Sequence, residues 1–124
     1  MTRRASWDVL AAVAAGGALG AAARYGVGLA WPHFLATLVV NVTGCLLIGA
    51  LAELSPPHRL ARPFLGTGVL GGYTTFSTYA VETRTLLADG RPWTAAAYVV
   101  GTLIAALAAV QLGILGVRRL RRPG

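Results

Sequence analysis

The sequence predicts an all-α integral membrane protein: four transmembrane helices forming a single domain over residues 1–124, with a break in the third helix. Three observations carry this. Of the 124 residues, 56% are hydrophobic and only 12% are charged, far from the balance of a soluble globular chain. The hydrophobic residues fall in four blocks, at residues 7–31, 34–54, 63–87 and 93–117, each close to or above the roughly 20 apolar residues that cross a bilayer. The third block alone is interrupted, by the stretch GVLGGYTTFSTY from Gly68 to Tyr79, which sets a glycine pair before the hydroxyl-bearing Tyr73, Thr74, Thr75, Ser77 and Thr78.

The first span begins after Arg3 and Arg4. A basic start followed by an alanine-rich run resembles a signal peptide on the surface, but the apolar run continues past Arg24 to Trp31 and three further spans follow. It is therefore read as a retained first helix. Trp31, Pro32 and His33 close it; Ser55, Pro56, Pro57 and His58 close the second; Asp89, Gly90, Arg91 and Pro92 separate the last two. Trp7, Trp31 and Trp93 fall at span ends, where interfacial anchors belong. His33 and His58 have no second ligand at helical or turn spacing and are read as loop residues. Cys45, the single cysteine, excludes an intrachain disulfide and is read as a small packing residue.

All eleven basic residues are arginine, against two Asp and two Glu. They flank the spans instead of lining one soluble face, which argues for topology and against nucleic acid. Arg3, Arg4, Arg59, Arg62, Arg118, Arg119, Arg121 and Arg122 fall on one side; Arg24, Arg84 and Arg91 fall on the other. This bias predicts a multi-pass protein of the plasma membrane with both termini in the cytoplasm, and a C-terminal arginine cluster that attracts anionic lipid head groups.

Polar residues at membrane depth are costly unless they face protein or water, so they are the functional leads. In the second span Thr37 and Asn41 share a helix face; in the fourth, Tyr98 and Thr102 repeat that spacing. Matched polar tracks on two helices suggest a lined pathway. In the third span, Gly66, Gly68, Gly71 and Gly72 disfavour a continuous helix, and a break frees carbonyls for a cation and a helix N-terminus for an anion. The competing account is a glycine-mediated close crossing with threonines bonded back to their own helix. Separately, Gly16 to Gly20 and Gly68 to Gly72 have the small-xxx-small spacing that lets helix backbones approach, so dense helix packing is expected. Phe76 and Tyr79 can project to one side and offer positive ring edges to an anion, although core packing is the ordinary role of such a pair. Glu82 continues that face, either at a vestibule or as an interfacial carboxylate near Arg84. Four short helices enclose little interior of their own, so a pathway between protomers, and hence an oligomer, is expected.

Taken together, GGALGAAARY (Gly16 to Tyr25), NVTG (Asn41 to Gly44) and GVLGGYTTFSTY with the following Glu82 resemble the Fluc (CrcB) family of fluoride channels. The resemblance implies an antiparallel dimer with two fluoride pores and a central structural sodium ion held by the backbone carbonyls of Gly71 and Thr74. It further implies fluoride contacts from Asn41, Phe76 and Tyr79, with Thr37, Tyr98 and Thr102 in the polar track, and Thr75 and Ser77 are counted in the same pathway. Arg24 falls near a helix end, where it either raises the local anion concentration at a vestibule or packs and snorkels. Tyr79 stands where the family commonly has phenylalanine, and Ala106 where it often has serine. The arginine bias adds that this chain prefers one orientation, so the antiparallel partner is either a second copy or an oppositely oriented paralogue. The rival readings are a small proton-coupled multidrug exporter, which needs a carboxylate in its first span where only Asp8 stands at the start, and a non-transporting assembly subunit. No catalytic constellation is present in the sequence, so the protein is not read as an enzyme.

Overall fold

The computed structural model describes residues 6–31 and 34–122; Arg3, Arg4, Pro32 and His33 lie outside the described residues. Regular structure among the described residues is entirely helical: α1 (Trp7–Ala30), α2 (Phe34–Glu53), α3, α4 (Ser77–Ala88) and α5 (Pro92–Arg121). Here α3 joins a π-helical stretch, Pro63–Leu70, to one α-turn, Gly71–Tyr73. α1, α2 and α5 are each long and apolar enough to cross a membrane. α3 and α4 together form the third predicted span, cut in two at residues 74–76.

The glycines do not themselves make the break. Gly66 and Gly68 lie inside the π-helical stretch, and the Gly71 N–H reaches back to Gly66 O in the i→i+5 pattern. The chain leaves the helix only at Thr74, with φ −80° and ψ 155°. What the glycines supply is close contact. A Cβ on Gly16 would stand 2.9 Å from the Gly68 Cα, and one on Gly72 would stand 2.9 Å from the Gly17 Cα. The crossing and the break coexist, the first on the helix before the second.

α2 and α5 form a second close pair. A Cβ on Gly49 would lie 2.9 Å from the Val110 carbonyl carbon, and one on Gly113 would lie 2.8 Å from the Ala50 nitrogen. With little apolar driving force between helices in lipid, such backbone approach is the main source of association. The bundle is thus two zipped pairs, α1 with α3 and α2 with α5, and the break is pressed between them.

Charged contacts fix which ends meet. Asp8 at the start of α1 pairs with Arg59 in the α2–α3 connection. Glu53 at the end of α2 pairs with Arg118 at 3.0 Å, and its carbonyl accepts from Arg121 Nη1 at 2.5 Å. The start of α1, that connection and the end of α5 therefore share one end of the bundle, as the arginine count expects. At the other end α4 stops in a Schellman closure: Gly90, at φ 72°, donates to Leu87 O, and Arg91 donates to Leu86 O.

Candidate functional site

The break is seated on one turn of α2. Asn41 Oδ1 accepts from the Thr75 N–H at 2.8 Å, while Asn41 Nδ2 donates to Thr75 O at 2.9 Å. Two residues on, Thr43 Oγ1 meets the Tyr73 hydroxyl at 2.8 Å. Gly44 makes room: a Cβ there would collide with the Thr74 methyl group. Thr75 then caps α4, its hydroxyl oxygen accepting from the Thr78 N–H at 3.2 Å. In an unbroken helix the Thr75 N–H would close on Gly71 O, and the Thr78 N–H on Thr74 O. Both donors are taken by side chains instead, which leaves those two carbonyls without their helical partners.

Two cavities meet at Thr75. One, of about 310 Å³, lies between α2, the break and α5; Asn41, Cys45, Phe76, Tyr79, Thr102 and Ala106 are among its lining residues. The Thr102 side chain is buried, the residue being only 6% exposed, and its hydroxyl has no hydrogen-bond partner among the described residues. A buried hydroxyl without a partner is rare in a protein interior, and this one belongs to a residue that lines the cavity. The other cavity, of about 320 Å³, opens toward the far end of α1 and is lined by Arg24, Thr37, Thr75, Thr78 and Glu82, with apolar neighbours.

Glu82 differs from its interfacial reading. It turns inward, accepting from the Thr37 hydroxyl on one carboxylate oxygen and from the Tyr98 hydroxyl on the other, both at 2.8 Å. The two polar tracks on α2 and α5 are thereby joined through one carboxylate on α4. Tyr79 donates its hydroxyl to Val99 O at 2.8 Å, so the extra oxygen is tied to α5 while the residue still lines the cavity. The rings of Phe76, Tyr79, Tyr98 and Phe34 stack in succession with centroids 6.0, 5.2 and 5.2 Å apart, each pair tilted by 52°.

Ser77 lines neither of these two cavities; it is exposed and sits 3.3 Å from the Thr75 hydroxyl. The back-bonded account holds for Thr74, which donates to Leu70 O at 2.9 Å, and for Thr83 and Thr85 further along. In the sequence Tyr73 and Thr78 stood out only as hydroxyl-bearing residues of the break and Thr43 only within NVTG, with no role given to any of the three. Their signal was present in part, since Thr43 and Gly44 follow Asn41 within the same helical turn. Sequence reasoning also took Cys45 for packing alone, whereas the residue lines the cavity beside Thr102.

The family model described as CrcB-like protein, Camphor Resistance (CrcB), matches residues 11–114. A protein of Streptomyces coelicolor named fluoride-specific ion channel FluC 1 is 50% identical, the alignment covering 94% of this chain and 84% of that protein. One of the same name from Rhodococcus jostii is 53% identical over 90% of this chain and 87% of its own. The fluoride-specific ion channel FluC of Paracoccus denitrificans is 52% identical over 82% and 88% respectively. The matched region runs from within α1 to near the end of α5 and takes in the whole of the break and its seat, so this multi-pass membrane chain belongs to the CrcB family.

Proposed function

We propose that the chain forms a passive, fluoride-selective channel that lets cytoplasmic fluoride leave the cell down its electrochemical gradient. The observation that carries this reading is the cavity at the break. It brings Asn41, Phe76, Tyr79 and Thr102 to one wall, with no ammonium or guanidinium among its lining residues. Fluoride is small and strongly hydrated, so a pore has to replace its water with compact donors and still release it. Asn41 uses one of its two amide hydrogens on Thr75 O and keeps the other. Neutral donors of this kind attract the anion without the deep trap of a buried cation. The names of the relatives support fluoride as the anion.

In this reading Arg24 raises the anion concentration in the outer cavity, and Glu82, Thr37 and Tyr98 form the polar link beyond Thr75. A second subunit completes the channel. Gly71, Phe76 and Ser77 are exposed at the broken span, Phe76 by 79%, and broken backbone at membrane depth needs cover by protein or a water-filled cavity. An antiparallel partner, a second copy or an oppositely oriented paralogue, supplies that cover. The carbonyls of Gly71 and Thr74 from both subunits would hold a sodium ion, which supplies fixed positive charge at the centre. Their loss of helical donors suits this chain to that role. The arginine bias favours cytoplasmic termini for this subunit.

Expression in a bacterium lacking its own fluoride exporter, alone and together with a paralogue of opposite charge bias, tests the function. Growth restored at fluoride concentrations that otherwise arrest it is the expected result. Unchanged sensitivity in both cases, with the protein present in the membrane, would overturn the reading.

A further inference from the structure

We infer that Tyr73 is a positioning residue: its hydrogen bond to Thr43 sets the direction of the Thr74 carbonyl and through it the cation affinity of the break. The inference rests on the sodium reading above.

The direction of the bond follows from hydrogen counting. Thr43 Oγ1 lies 2.6 Å from Val39 O, one turn back, so its single hydrogen goes to that carbonyl. The Tyr73 hydroxyl, 2.8 Å away, must then be the donor to Thr43. Tyr73 is the last helical residue before the chain turns extended at Thr74. Its ring lies over Gly44, where a Cβ would come within 3.3 Å of Cδ2. On the opposite side its nitrogen is pressed toward α1, 2.8 Å from where a Cβ on Gly20 would stand.

Thr74 is therefore bracketed. The residue before it is fixed to α2 through Thr43 and the residue after it through both bonds of Asn41. Thr74 spends its own hydroxyl on Leu70 O, so no side chain of its own restrains the carbonyl. The Thr74 N–H holds to Leu70 O at 3.0 Å, which ties it along α3 and leaves that helix end free to shift sideways against α2. The Tyr73–Thr43 bond adds the lateral tie to α2 on that side, and a carbonyl fixed to α2 on both sides can meet a cation with little ordering cost.

The test uses the full chain, purified and reconstituted, as Tyr73→Phe, Thr43→Val, the double variant and Thr43→Ser. Each is titrated with sodium against a nonbinding organic cation, reading thermal unfolding temperature and retention of radioactive sodium, with fluoride efflux at saturating sodium as a third readout. In Tyr73→Phe and Thr43→Val the half-saturating sodium concentration should rise about three- to fivefold, the worth of one neutral hydrogen bond. The double variant should match the singles, because both remove the same bond, and Thr43→Ser should keep the unsubstituted value. Efflux at saturating sodium should be retained in all four. A half-saturating concentration unmoved in Tyr73→Phe, or single effects that add, would overturn the inference alone. No sodium dependence in the unsubstituted chain would overturn the sodium reading and this inference with it.

Discussion

Asn41 and Thr75 meet through both faces of one amide: Thr75 N–H to Asn41 Oδ1 at 2.8 Å, and Asn41 Nδ2 to Thr75 O at 2.9 Å. A side chain on α2 thus takes the place of a backbone partner for the residue at the centre of the break. Seating the break and offering a donor to the cavity fall to the same amide group.

Asn41→Asp keeps the acceptor, loses the donor and sets a negative oxygen against Thr75 O. Leaving a buried polar group without its partner costs about 1–3 kcal/mol, and the added charge repels an anion. Fluoride efflux from liposomes should fall at least about tenfold, a 1.4 kcal/mol change. Efflux within twofold of the unsubstituted protein would remove Asn41 from the pathway.

Thr102→Val separates a packing role from a pathway role. The hydroxyl is buried without a partner among the described residues, and such a group costs about 1–3 kcal/mol. Its near-isosteric removal should leave thermal stability equal or higher. Fluoride efflux should fall in the same variant. A loss of stability would mean that the hydroxyl has a structural partner.

Two glycines, one in α2 and one in α5, give opposite signs for the same substitution. Gly49→Ala drives a Cβ into the Val110 backbone, which cannot yield as a flexible side chain would, and should destabilise by about 1–3 kcal/mol. A methyl group on Gly101 would meet nothing within 4 Å, so Gly101→Ala should be neutral or stabilising by about 0.5–1 kcal/mol. Unfolding of the detergent-solubilised protein compares them directly. Covering of Gly101 by a partner would reverse its sign.

Tyr79→Phe removes the bond to Val99 O but leaves the ring between Phe76 and Tyr98. Interhelical bonds in membranes average about 0.6 kcal/mol, so a small loss of stability and efflux within about threefold are expected. A large change in fluoride over chloride preference would show that the hydroxyl reaches the ion.

Much of this was legible in the sequence, for reasons that can be traced residue by residue. The helical blocks follow from block hydrophobicity, although α5 runs on to Arg121; the small-xxx-small spacings announced close helix approach but not that Gly16 meets Gly68. Thr37, Asn41, Tyr98 and Thr102 could be found because polar groups are rare at membrane depth. The position of the break was not legible: glycine permits many conformations, and the chain leaves the helix at Thr74 because Asn41 and the Thr75 hydroxyl capture the donors, a long-range and a local contact acting together. The inward turn of Glu82 depends likewise on Thr37, 45 positions away. Only the packed bundle brings those two together.

Ion flux through the purified protein in liposomes, loaded with fluoride or with chloride, tests the central claim most directly. Rapid fluoride efflux, slow chloride efflux and loss of the fluoride signal in Asn41→Asp are the predicted results. Equal flux of both anions, or no fluoride flux either alone or with an oppositely oriented paralogue, would contradict it.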